Sequence, residues 1–194
     1  MRGLKTRDRL VRSAVILFQQ RGYHATGIAE ILHHAEVPKG SLYHHFPGGK
    51  ESLAAAALDW LTEEMVGHFD RCVASKQSAV ETVTALYKGA ANWLARHDYA
   101  TGALFSVFAQ EMSVEEPELS RLLGLSYRRV IAAFSRALTV DGRVAAMDGD
   151  ALALTLLATL DGTIPIARSE RSKAPILTAL NSVRPLLDTE AAGG

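Results

Sequence analysis

An all-α fold is what three features of this 194-residue chain predict. Apolar residues recur three and four positions apart through nearly every segment, alternating β-branched runs are few, and no Asn-Gly hairpin signal occurs. Leu10, Ala14, Leu17 and Phe18 place a first helix, and Ile28, Ile31, Leu32 and Ala35 a second. Leu42 and Phe46, four residues apart, form a third that closes over the same small core. Helices this short do not stand alone in water, so the three are expected to fold as one unit containing a helix-turn-helix. Thr26 supplies a hydroxyl where helix two should be capped, whereas Pro38 opens helix three with a fixed φ and no side-chain oxygen.

A fourth helix is expected from Lys50 to about Cys72, with Leu53, Ala57, Trp60, Leu61, Met65 and Phe69 turned inward. The polar break from Ser75 to Ser78 separates it from a fifth, from about Val80 to Arg96, which ends at His97-Asp98. Gly102 precedes a short sixth helix carrying Leu104, Phe105, Phe108 and Met112. Glu116 and Pro117 suit the opening of a seventh, which continues to about Leu138. Asp141-Gly142 and Asp148-Gly149-Asp150 bound a loop. An eighth helix runs from about Asp150 to Arg168, with Pro165 expected to kink or end it. A last one spans Pro175 to Leu187, making about nine in all, and the Ala-Ala-Gly-Gly tail should fray.

With 48% hydrophobic and 22% charged residues the chain can bury a sizeable core. Its net charge is zero but unevenly placed. Residues 1–50 hold eight Lys or Arg against three acids (+5), and the remaining 144 hold thirteen against eighteen (−5). A basic first quarter on an acidic remainder is the charge pattern of a modular nucleic-acid binder. Cys72 is the single cysteine and lies on the apolar pattern of helix four, so it reads as a buried hydrophobe in a reducing, cytoplasmic setting. The longest apolar run, around Leu152 to Leu160, contains Thr155 and Thr159 and falls short of the roughly 18 residues of a membrane span, so no membrane partner is expected. The histidines at 24, 33, 34, 44 and 45 include no pair spaced i, i+4 and no neighbouring cysteine, which argues against a metal. Without a Ser-His-Asp ordering, a Gly-rich phosphate loop or a repeated Glu-x-x-His, neither an enzyme nor a cofactor is expected.

The stretch from Thr26 to Leu53 carries Thr26, Ile28, Ala29, Gly40, Tyr43, His45, Phe46 and Lys50 in an order that resembles the TetR family of one-component transcriptional repressors. The run from Pro38 to Ser41, and the extra glycine between Phe46 and Lys50, resemble its LmrA/YxaF-like branch. The motif covers about a quarter of the chain. Three departures stand out: Glu36 occupies the turn where the family usually has glycine, Pro38 replaces the residue that normally caps helix three with a hydroxyl, and Ala103 follows Gly102 where the branch often has cysteine.

The resemblance implies a DNA-binding domain over residues 1–48 and a ligand-binding and dimerisation domain over 49–194. Its third helix would enter the major groove, with Lys39, Ser41 and His44 at base edges or phosphates, Gly40 admitting close approach, and the Tyr43 hydroxyl on a phosphate. Lys50, beside the amides of Gly48 and Gly49, would hold a phosphate at a helix start, and Thr26 would reach another. Lys5, with Arg2, Arg7, Arg9 and Arg12, would add salt-dependent attraction. Ligand candidates are Trp60, Met65, Trp93, Phe105, Phe108, Met112, Tyr127 and Phe134, with Asp161 as a polar anchor. The dimer interface is expected at Leu152, Leu156, Thr159, Ile176, Leu180 and Val183. The implied function is repression at a palindromic double-stranded operator by a homodimer, relieved by a small apolar or aromatic inducer. The alternatives are a ligand-independent regulator or activator, and a helical-bundle enzyme.

Overall fold

The computed structural model describes residues 5–112, 116–140, 142 and 148–187, and among them nine α-helices occur. Arg2, Asp141 and the C-terminal tail lie outside the described residues. The helices are α1 (Thr6–Arg21), α2 (Ile28–Ala35), α3 (Lys39–His45), α4 (Gly49–Ala74), α5 (Ala79–Arg96), α6 (Leu104–Glu111), α7 (Pro117–Thr139), α8 (Gly149–Glu170) and α9 (Ala174–Val183), followed by a 3-10 turn at Arg184–Leu186. Every expected helix is present, with ends shifted by a few residues. Pro165 lies inside α8, which continues to Glu170 rather than ending there. One reading needs correction. Gly27, not Thr26, is the N-cap of α2, and Glu30 reaches back to accept from the Gly27 N–H at 3.2 Å.

The chain forms two compact units, residues 1–63 with 101–127 and residues 64–100 with 128–194, whose boundaries fall inside α4, between α5 and α6, and inside α7. The expected division at 48/49 therefore lies within the first unit. In that unit α1 packs on α2, α3 and α6. Leu10, Ala14, Phe18, Ile31, Ala35 and Leu42 are fully buried, which is the core the periodicity predicts. Phe108 of α6 joins it, its ring 5.4 Å from that of Phe18 and 5.8 Å from that of Tyr23, both near edge-to-face. The Gly102 N–H, just before α6, donates to the Gln19 carbonyl at 2.8 Å. These contacts bring α6 to α1, a pairing that local spacing could not disclose.

In the second unit α8 and α9 pack on each other and both meet α5. Tyr87 of α5 is fully buried and donates its hydroxyl to the Leu156 carbonyl at 2.7 Å. Burial, with the charge of Asp161 adding to it, pushes the Tyr87 phenol up to about 12. Phe134 of α7 stacks on Phe69 of α4 with centroids 4.5 Å apart. α5 begins with a capping box in which the Glu81 N–H donates to Ser78 Oγ and Glu81 accepts from the Ser78 N–H.

α8 is a longer apolar segment than the run from Leu152 to Leu160 suggested. By length and composition alone this 22-residue helix is apolar enough to cross a bilayer, and only a third of its most apolar stretch is buried. Thr155, Thr159 and Thr163 do not interrupt it, because their hydroxyls donate to the carbonyls of Ala151, Thr155 and Leu160 at 2.7–2.8 Å.

Candidate nucleic-acid interface

α3 has seven residues and one strongly buried side chain of its own, Leu42; Phe46, just past its end, is the second anchor. Lys39, Gly40, Tyr43 and His44 are exposed, Ser41 and His45 half-buried. Tyr43 keeps 52% of its surface open although it is a large aromatic residue. At Gly40 an added Cβ would meet no atom within 4 Å, so the backbone there is open to close approach. Four of the expected DNA-facing residues therefore share the open side of one short helix, whose other side fixes it to α1 and α2.

The turn before α3 is built unusually. α2 ends with Glu36 at φ 52°, ψ 49°, the left-handed conformation that costs a residue with a Cβ about 1–2 kcal/mol. The backbone nevertheless closes a normal helix end, with Glu36 N–H donating to the His33 carbonyl at 3.0 Å and Val37 N–H to the Leu32 carbonyl at 3.1 Å. Pro38 offers α3 no side-chain cap. The missing support comes from α1, where Arg9 Nη2 donates to the Glu36 carbonyl at 2.9 Å and to Glu36 Oε2 at 3.3 Å.

Arg7 and Arg12, although exposed, also have neighbours within this unit, and Arg21, at the end of α1, pairs with Glu30. The Arg7 guanidinium lies 5.4 Å from the Phe46 ring centroid and that of Arg12 5.4 Å from Trp60. Four arginines of the basic first quarter thus contact parts of their own unit. Lys5 is exposed at the N-cap of α1.

Thr26 and Lys50 differ from the expected phosphate contacts in the same way. Thr26 is fully buried and donates its hydroxyl to the Gly22 carbonyl at 2.6 Å. Lys50 turns back so that Nζ donates to the His24 carbonyl at 3.2 Å and stands 4.5 Å from the centre of the Tyr23 ring. Burial lowers the Lys50 pKa. The neighbouring Gly49 N–H donates to the Phe46 carbonyl at 2.8 Å rather than pointing outward. Glu111 of α6 completes this region: Oε2 accepts from the His24 N–H at 2.9 Å, and its carboxylate lies directly against Gly22.

The ligand candidates fall in both units. In the first, Phe105 and Phe108 are buried, Tyr127 is half-buried with its ring 5.2 Å from that of Phe105, and Trp60 and Met112 are half-buried. In the second, Phe134 is fully buried, while Met65, Trp93 and Asp161 are half-buried. Phe108 and Phe134 pack as core residues in their own units. Of the six positions expected at a dimer contact, Leu152, Leu156, Ile176, Leu180 and Val183 are buried within the single chain and Thr159 is half-buried. The open face of α8 presents a different row, Leu154, Ala158, Gly162 and Ile166, spaced four residues apart, with Leu154 54% and Ile166 49% exposed.

A short exposed helix seated by a turn on two others is the arrangement of a helix-turn-helix unit. The profile described as "Bacterial regulatory proteins, tetR family" matches residues 10–57, and that described as "Transcriptional regulator LmrA/YxaF-like, C-terminal domain" matches residues 79–182. The chain belongs to the TetR family of DNA-binding transcription regulators, in its LmrA/YxaF-like branch. It is 30% identical over 190 residues to an uncharacterized HTH-type transcriptional regulator of Mycobacterium tuberculosis, covering 95% of each chain. It is 29% identical over 173 residues to the uncharacterized regulator YxaF of Bacillus subtilis, covering 89% of this chain and 90% of YxaF. The crystal structure of the reduced form of Escherichia coli NemR superposes with a TM-score of 0.79 at 29% identity, covering 93% of this chain and 96% of NemR. NemR is named a transcriptional repressor.

Proposed function

We propose that the protein is a cytoplasmic repressor that binds a palindromic operator as a homodimer and is released by a small apolar or aromatic inducer. The observation that carries this reading is the open side of α3, where Lys39, Gly40, Tyr43 and His44 are exposed together on a helix anchored by Leu42 and Phe46. Lys39 and Ser41, at its N-terminal end, and His44 one turn on address base edges or phosphates, and Tyr43 reaches the backbone on a rigid arm. Lys5 adds a phosphate contact. Thr26 and Lys50 act at the DNA only if their internal hydrogen bonds open.

Dimerisation follows from the row Leu154, Ala158, Gly162 and Ile166. Small residues at its centre and larger ones at its ends suit two copies of α8 crossing with their i±4 ridges interlocked. Two copies supply the two reading heads that a palindrome requires. Half-buried aromatic and soft side chains are the candidates for inducer contact, either Trp60, Met112 and Tyr127 within the first unit or, separately, Met65 and Trp93 within the second. It acts by binding the released conformation better, and a tenfold preference corresponds to about 1.4 kcal/mol.

Selection of bound fragments from random double-stranded DNA tests the reading. Enrichment of a palindrome by the parent chain, weakened by Tyr43→Phe and Lys39→Ala, is the expected result; recovery of no common sequence would overturn it. Compounds that stabilise the protein in a thermal-shift screen are then added to the operator complex, and release by at least one is expected.

A further inference from the structure

We propose that Arg9 is a positioning residue for DNA reading: by holding the left-handed Glu36 turn from α1 it sets the angle at which α3 is presented. The inference rests on the reading of α3 as the groove-binding helix. The turn from Glu36 to Pro38 lacks both local devices that would fix it, a glycine at the left-handed position and a side-chain cap on the following helix. A seven-residue helix has too few internal hydrogen bonds to hold its own direction. One nitrogen of Arg9, 27 residues away, reaches both the Glu36 carbonyl and its carboxylate. The Glu36 carbonyl is at the negative end of α2, where a cation is favoured.

Arg9 is placed to support the turn rather than to meet DNA. Its side chain is 23% exposed, against 80% for Glu36. Its Nε is buried without a hydrogen-bond partner, so the guanidinium is oriented by the turn and not by the best use of its own donors. Arg7, two residues earlier, lies over Phe46 at the far end of α3. α1 therefore holds α3 at both ends, and the Arg9 contact governs the end that carries Lys39 and Ser41.

The test compares affinity for the selected operator with affinity for unrelated duplex, over a series of salt concentrations, for the parent, Arg9→Met and Glu36→Ala. A positioning role predicts that Arg9→Met lowers the operator-to-unrelated ratio about tenfold and leaves the salt dependence unchanged. Glu36→Ala, which keeps the strained backbone but removes the carboxylate, should lower the same ratio severalfold. Adding Glu36→Gly to Arg9→Met should restore part of the ratio, because glycine holds the left-handed turn without help.

A phosphate contact by Arg9 would overturn the proposal and would be recognised by equal weakening on both duplexes, with a salt slope flatter by about 0.9. Glu36→Ala would then fail to lower the ratio. A lower melting temperature with an unchanged ratio would show a merely structural residue and would also overturn it. If Arg9→Met does not fold, the Glu36→Ala ratio alone decides. A parent chain that enriches no sequence would remove the underlying reading, an outcome separate from any behaviour of the variants.

Discussion

Replacing Gly22 with alanine should destabilise the first unit by two separable effects. Gly22 ends α1 at φ 86°, ψ 172°, a region that is almost exclusively glycine and costs other residues about 1–3 kcal/mol. A Cβ there would also overlap Oε1 of Glu111, whose other oxygen accepts the His24 N–H. The Glu111 side chain can swing away, but only by giving up that bond. For a half-buried carboxylate this costs about 1 kcal/mol, below the range for fully buried charged hydrogen bonds. The expected loss for Gly22→Ala is therefore about 2–4 kcal/mol, read as a lower urea midpoint at unchanged slope by circular dichroism. Glu111→Ala alone should cost about 1 kcal/mol. In the Glu111→Ala background the Gly22 substitution should cost about 1 kcal/mol less than in the parent, because the overlap is gone. Strict additivity, or a Gly22→Ala loss below about 0.5 kcal/mol, would refute the reasoning.

Lys39→Ala should weaken operator binding and flatten its salt slope by about 0.9, measured by fluorescence anisotropy across a salt series. Gly162→Leu should abolish the dimer in sedimentation experiments while leaving the monomer folded, since a Cβ at Gly162 meets nothing within 4 Å in the single chain. Tyr87→Phe should cost about 1 kcal/mol at neutral pH through loss of the bond to Leu156. Tyr87 stays protonated in the folded chain to about pH 12, whereas an unfolded tyrosine ionises near 10. Its contribution is therefore full below pH 10 and falls as pH rises towards 12, by up to about 2–3 kcal/mol. Urea midpoints at pH 9 and pH 11 should thus drop further for the parent than for Tyr87→Phe, and parallel drops would contradict the assignment.

The reading head was legible because its core residues are close in sequence and each helix shows one apolar face, as at Ile31, Ala35 and Leu42. The anomaly at Glu36 was visible too, since only one residue type passes easily through a left-handed turn. The fates of Arg7, Arg9 and Arg12 were not. A count of charges places cations near DNA, but a long side chain can equally fold onto a carbonyl or an aromatic ring, and spacing does not distinguish the two. Thr26 misled similarly, because a hydroxyl before a helix serves either as its cap or, as here, as a donor to the preceding turn. Periodicity located the stripes of α8 and α9 but not what covers them. Leu152 and Leu156 are buried within the chain while Leu154 and Ile166 stay open, although all four belong to one apolar helix.

The contact of Phe108 with Phe18 and Tyr23, together with the bond from Gly102 to Gln19, bears on how such regulators can be recombined. A head cut after residue 48 and grafted onto another regulator's body would meet a foreign sixth helix, leaving two aromatic rings of its own core either uncovered or against a misfitting surface. Inheritance of a DNA preference and inheritance of the segment from 101 to 127 should therefore travel together. A chimera that exchanges both stretches should fold, and one that exchanges the head alone should need compensating changes at Phe18, Tyr23 or position 108.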